Sequence, residues 1–285
     1  MSLRRWTPFL LAAALSACSL RTVAVRQTAK IADAGMPALL KESDPQLARD
    51  AMPGQLKLLE TFLESDPSNP LLLHRLAQGF AGYAHLFIED EDSGRAAALY
   101  RRALGYALRL AERNPALKGL DRLEASALEG ALRKAGPADA AALYWGATAW
   151  AGWADNAKGD PEALSGVPKA ARLMGRVLEL DPALEHGGPE LWFGVYYCVR
   201  PRLAGGDPAK GRAYFDAALA RSGGRYLTAK LFYAKYYAVA ALDRALFSRL
   251  LGEVAQSEPL PDARLADEVA RRKAKRLLER TDELF

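Results

Sequence analysis

The chain has 285 residues, half of them hydrophobic and 26% charged, with a formal net charge of +5. Lys and Arg are interspersed with Asp and Glu, and a leader carrying Arg4 and Arg5 takes two positive charges with it, so the pI of 9.1 is no nucleic-acid footprint. With 2 cysteines, Cys18 and Cys198, a disulfide framework is excluded, and a chain of this length must be held by its apolar core.

At the N-terminus, Arg4 and Arg5 precede an apolar run of 7 residues, Phe9 to Leu15. That suits the ~7–15 residues of a signal-peptide core and falls short of the ~20 that span a bilayer. The run ends in Leu15-Ser16-Ala17-Cys18. An apolar residue, two small ones and a cysteine make a bacterial lipobox: the small residues fit the peptidase cleft, and the thiol takes the diacylglycerol. Residues 1–17 are therefore expected to be a lipoprotein signal peptide, with Cys18 lipidated and first in the mature chain. Several acyl chains on one cysteine anchor stably. Ser19, where an Asp would favour inner-membrane retention, points to the outer membrane. Residues 18–35 lack apolar periodicity and read as a tether.

Residues 36–285 read as a single all-α domain. Ala and Leu dominate, β-branched residues are few, and apolar positions recur at three and four, as in Leu56, Leu59, Leu63 and Leu76, Phe80, Tyr83. Asp66-Pro67, Asn114-Pro115, Asp160-Pro161, Asp181-Pro182 and Asp207-Pro208 each place a capping residue before a proline, the pattern of a helix start. Three segments share a spacing of Leu, Gly three later and a bulky or apolar residue four after that: Leu76, Gly79, Tyr83; Leu143, Gly146, Trp150; Leu191, Gly194, Cys198. Each is followed by a second helix with small, large, then small or apolar positions: Ala96, Tyr100, Ala103; Ala170, Met174, Val177; Gly211, Phe215, Ala218. This is the logic of tetratricopeptide units, with uneven spacing, and the expected fold is a helical-hairpin solenoid of degenerate repeats.

Chemistry-bearing motifs are sparse. His74, His85 and His186 have neither a second His at ligand spacing nor a Cys close by, so no metal is expected. No phosphate loop, dinucleotide fingerprint or nucleophile elbow occurs, and neither a cofactor nor an enzymatic activity is expected. Glu89-Asp90-Glu91-Asp92 lacks the spacing and turn glycine of a calcium loop and reads as a solvated loop. Arg271-Arg272-Lys273 with Lys275-Arg276 reads as a solvated helix face, and Cys198, in an aromatic run, as a small buried hydrophobe.

The aromatics carry more information. Trp150 and Trp153 share a helix face, Trp145 falls near the edge of Trp153's stripe, and Trp192, Tyr196 and Tyr197 are placed comparably in the next unit, with Arg200 a turn beyond Tyr196. Two readings stand side by side. Trp145, Trp150, Trp153, Trp192, Tyr196 and Tyr197 form a ligand or partner groove in which Arg200 holds a carboxylate, or they pack between units.

Taken together, the lipobox and tether, Ser65-Asp66-Pro67-Ser68-Asn69-Pro70, Ala96-Ala97-Ala98-Leu99-Tyr100, Ala142-Leu143-Tyr144-Trp145-Gly146-Ala147 and the stretch from Gly206 to Phe215 give the chain its character. It resembles the TatT-like lipoproteins, the T-component of tripartite ATP-independent periplasmic (TRAP) transporters, over essentially all of the mature chain. The resemblance implies cryptic tetratricopeptide units, a homotrimer, a periplasmic solute-binding protein as partner, and help in delivering an apolar or organic-acid ligand. It carries over no ligand-contacting residue. A lipid-anchored repeat adaptor in outer-membrane or envelope assembly is the alternative.

Overall fold

A computed structural model describes residues 23–31, 33–157 and 159–285. The signal peptide 1–17 and Cys18 lie outside the described residues. All regular structure among the described residues is helical. The main helices are α1 (Pro45–Ser65), α2 (Pro70–Tyr83), α3 (Ser93–Ala111), α4 (Ala125–Leu132), α5 (Ala140–Asn156), α6 (Val167–Leu180), α7 (Leu184–Val199), α8 (Pro208–Arg221), α9 (Leu227–Phe232), α10 (Arg244–Gln256) and α11 (Arg264–Glu279). Part of the stretch read as a tether is itself packed: residues 23–31 are helical, Val25 and Ala29 are buried, and Arg26 Nε donates to Asp66 Oδ2 at 2.9 Å.

The helix starts follow capping chemistry. Asp44 accepts from the Gln46 amide, Asn69 from those of Leu71 and Leu72, and Asp207 from that of Lys210, each with proline in the first turn. The proline-preceded boundaries behave unequally. Asp207-Pro208 opens α8 and Asp160-Pro161 the short helix Pro161–Ser165, whereas Asn114-Pro115 opens only the 3-10 turn Pro115–Leu117. Asp66-Pro67 opens no helix. Asn69 caps α2 instead, and Asp66, nearly buried, accepts from Arg26 and from Asn69 Nδ2.

Successive helices pack on one another: α1 on α2, α2 on α3, α3 on α5, α5 on α6, α7 on α8, α10 on α11. The aligned Leu positions (Leu76, Leu143, Leu191) and the aligned fourth positions (Tyr83, Trp150, Cys198) are all buried. Two buried clusters result, one mostly from the N-terminal helices and one from α7 to α11. Helix α11 belongs to both, giving Leu265 and Val269 to the first and Ala270 and Ala274 to the second. It also packs on α1 and on the short helix Met36–Leu40, so the end of the chain returns to its beginning.

The repeat glycines are not equivalent. A Cβ on Gly194 would lie 2.8 Å from Phe215 Cε1, too close to a ring that is itself fully buried. At Gly146 the nearest atoms, Leu173 Cδ2 and Ala107 Cβ, would be 3.6 and 3.7 Å away, an ordinary contact. Gly194→Ala is therefore expected to lower stability by about 1–3 kcal/mol through overpacking. Gly146→Ala should be neutral or stabilising by up to ~1 kcal/mol, because alanine favours helix. Urea denaturation of the two variants checks the contrast, and equal losses would refute it.

Candidate ligand cavity

Two helices end in wide turns that face the same space. Helix α2 runs into the π-helical turn Ala84–Ile88, and α9 into Tyr233–Ala238. A π turn carries one extra residue and re-aims the side chains around it. The first turn sets His85 and the following Glu89 on the wall, and the second sets Tyr236 there. Edge-on, the His85 ring meets Phe232 with centroids 5.4 Å apart.

Between these turns and α3, α5 and α7 lies a cavity of about 470 Å³, within the ~300–1,000 Å³ typical of small-molecule sites. A second cavity of about 250 Å³ shares His85, Tyr100, Thr148, Trp192 and Phe232 with it and runs on past Tyr144 and Trp145 to the Met36–Leu40 helix. The two are neighbours, both walled by aromatic side chains, with those five residues bordering each.

The residues singled out in the sequence divide between wall and core. Trp192 and Tyr196 stack with centroids 5.1 Å apart and line the larger cavity, Trp192 lining the smaller as well. Trp145 lines the smaller one. Arg200 lines the larger, but its guanidinium donates to the Tyr196 hydroxyl and lies 4.5 Å over that ring. Trp150 and Trp153 line neither cavity and are each 5% exposed, packed in the core. Tyr197 turns to the other side of α7 and stacks on Tyr214 at 5.8 Å.

In the acidic run Asp90, Glu91 and Asp92 are exposed, as expected of a solvated loop, and Glu89 alone is drawn inward. Glu89 Oε1 lies 2.9 Å from His85 Nδ1, and Glu89 Oε2 accepts from the Tyr100 hydroxyl at 2.7 Å. Lys273 on α11 lies 2.8 Å from Asp90 and 3.6 Å from Glu89, and donates to the His85 carbonyl at 2.9 Å. Burial opposes ionisation of Glu89, but the charges of His85 and Lys273 outweigh it and hold the carboxyl well below the usual range. By the same contacts Lys273, 7% exposed, leaves the solvated face expected of the basic cluster.

Two further carboxyls line the space, and neither was singled out in the sequence. Asp155 lines the larger cavity and is still exposed; partial desolvation and then the charge of Glu89 push its pKa up. Glu185 faces the smaller and accepts from Gln78 Nε2 at 3.3 Å. It sits in three consecutive left-handed residues, Glu185 (φ 50°), His186 (φ 59°) and Gly187 (φ 85°), before the regular part of α7. The two non-glycine residues cost on the order of 1 kcal/mol each in that conformation, and such strain gathers at ligand clamps. Packing of His186 on Tyr226, with centroids 4.9 Å apart, helps to hold the turn.

Aromatic walls, a few hydroxyls and three carboxyls suit the holding of a small molecule. No group of three His, Cys, Asp or Glu among the described residues is placed to hold a metal ion. The sequence model of a family described as TRAP transporter T-component matches residues 41–285. The chain belongs to that family. No match is found among curated proteins. As a T-component it is associated with a TRAP transporter, and no helix among the described residues is long and apolar enough to cross a membrane.

Proposed function

We propose that this T-component is a periplasm-facing lipoprotein, held at the outer membrane through Cys18, that docks on the transporter's solute-binding protein and houses the apolar body of its ligand. The observation carrying the ligand reading is the pair of neighbouring aromatic-walled cavities, the larger bordered by Arg200 and the smaller by the Met36–Leu40 helix. Docking is supported by the exposed Leu164 and Val199, both lining the larger cavity, with Leu203 exposed in the following turn. Contiguous apolar surface of this kind is what a protein partner covers. A homotrimer, implied by the resemblance, is the assembly proposed.

The test uses residues 19–285, because both cores are built from Val25 onward. This form is expected to bind the uncharged fluorophore Nile red at micromolar concentration. Trp192→Asp, at a half-buried wall position, should weaken binding by about tenfold while leaving the helical circular dichroism intact, since a charge on an apolar wall must be desolvated by the ligand. Equal binding by a folded Trp192→Asp variant would refute the cavity as the site.

A further inference from the structure

One edge of the helical stack carries the start of the described chain. Residues 19–32 contain Arg21, Arg26 and Lys30 and no acid. In the helix of residues 23–31, Val23, Arg26, Lys30 and Ile31 are exposed, while Val25 and Ala29 are buried. Arg26 fastens this helix to Asp66, the residue that ends α1. Hydrogen bonds then trace the edge across the stack. Arg109 in the last turn of α3 donates to the Pro67 carbonyl at 2.7 Å, Asn114 Nδ2 to the Lys134 carbonyl at 3.4 Å, and Arg176 of α6 to the Ala135 carbonyl at 2.7 Å. Most acids along it are engaged: Asp66 by Arg26, Asp121 by Arg122, Glu129 by Arg172, Glu179 by Arg176, and Asp139 by Asn114 and the Gly136 amide. Glu64, Glu112 and Glu124 are exposed without an ion pair among the described residues, as are Lys30, Arg113, Lys118, Arg133 and Lys134. The excess of cations is concentrated. Lys118, Arg133 and Lys134 line one surface hollow of about 560 Å³ with Leu123 and Ala127, and no carboxylate lines it.

We propose that this edge lies on the anionic phospholipid headgroups of the leaflet that holds the anchor, with Val23 and Ile31 entering the interface and the hollow of Lys118, Arg133 and Lys134 taking a lipid phosphate. This rests on the lipidation of Cys18. Cys18 is five residues before Val23, a reach of at most about 18 Å at full extension, so a lipid there keeps the helix of residues 23–31, and the edge it is fastened to, close to the bilayer. Attraction between lysine or arginine and an anionic leaflet fades within a Debye length of about 8–10 Å, and the short reach brings this edge into that range. The other exposed basic run, Arg272, Lys275 and Arg276 on α11, lies by the opposite end of α1, near its cap Asp44, roughly 30 Å away along a helix of 21 residues. It is interleaved with Asp44, Asp90 and Glu91, so it offers a lipid phosphate no comparable excess of charge.

Sedimentation of residues 19–285 with lipid vesicles tests this. Vesicles of equal phosphatidylglycerol and phosphatidylcholine are expected to bind the protein at least about tenfold more tightly than phosphatidylcholine alone, and high salt should remove the difference. Replacing Lys118, Arg133 and Lys134 together by Glu should lower binding to the anionic vesicles by about tenfold or more with the helical circular dichroism intact, since all three are exposed. The same charge change at Arg272, Lys275 and Arg276 should lower it by about threefold or less. The wild-type preference stands as a test even where a variant fails to fold. No preference for phosphatidylglycerol, or equal losses from the two triple variants, overturns the headgroup assignment and leaves the anchor standing, because residues 19–285 lack Cys18. A full-length chain whose Cys18 carries no acyl group, read by mass spectrometry of the protein extracted from membranes, overturns the anchor and this orientation with it.

Discussion

Trp150→Ala is expected to cost about 3–5 kcal/mol of stability, the range for emptying a large aromatic site in a core. The indole of Trp150 is 5% exposed on α5 and runs under Gly166, the residue that leads into α6. A Cβ on Gly166 would fall inside the indole, with Nε1 its nearest atom, so the two positions are matched in shape. Urea midpoints should therefore show strong coupling. In the wild-type background Gly166→Ala is expected to cost about 1–3 kcal/mol, because the ring must be displaced. In the Trp150→Ala background the same change should cost close to nothing, giving a coupling energy of about the same size. Trp150→Phe should lose less than Trp150→Ala: it keeps most of the apolar area and removes an indole N–H that has no hydrogen-bond partner among the described residues. Additive losses at 150 and 166 would mean that the indole does not rest on that glycine.

Trp150 also marks where the sequence was readable. Its shared position with Tyr83 and Cys198 in the Leu-x-x-Gly spacing points to the core, and all three are buried there. Helix periodicity is a property of neighbours along one strip of surface, and it survives without any knowledge of topology. The same reasoning says which residues share a face and not what that face meets. Trp145, five residues before Trp150, turns to a different side of α5 and lines the smaller cavity, while Tyr197, next to Tyr196, turns away to Tyr214.

The charged half of the site was hidden for a different reason. Glu89 and Tyr236 owe their positions to π turns, and a π turn in Ala84–Ile88 or Tyr233–Ala238 leaves no mark on an already apolar or aromatic helical pattern. Asp155 sits in α5 beside the buried Asn156, where a lone carboxylate near a helix end reads as a solvated charge; it is indeed exposed, and only the tertiary placement of α3 and the second π turn puts it on the cavity wall. Lys273 is 188 residues from its partner His85, and its neighbours on α11 are the exposed basic residues that make the segment look like a surface. Contacts made by the return of the chain end to its beginning are long-range, and no local window contains them.

Lys273→Met is expected to lower stability by about 3 kcal/mol or more, because removing one partner of a buried ion pair leaves the others uncompensated. Its ammonium is shared among Asp90, Glu89 and the His85 carbonyl, and it holds α11 against the first π turn. Met keeps most of the stem's volume, so the loss reports charge and hydrogen bonding more than packing. Arg272→Met, one position away and more than half exposed with Asp44 at 3.7 Å, should change stability by no more than about 0.5 kcal/mol. The pH dependence fixes the cause. Both Glu89 and Asp90 have depressed folded-state values, against ordinary ones of 4.5 and 3.8. Depressed carboxylates contribute stability that is present above the ordinary values and is lost as the pH falls through the folded-state ones. Lys273 supplies part of that depression, so the gap between wild type and Lys273→Met should be widest near neutral pH and narrow as the pH drops below about 4. A gap that stays constant from pH 7 to pH 3 would place the loss in packing and leave the ion cluster without a role in closing the fold.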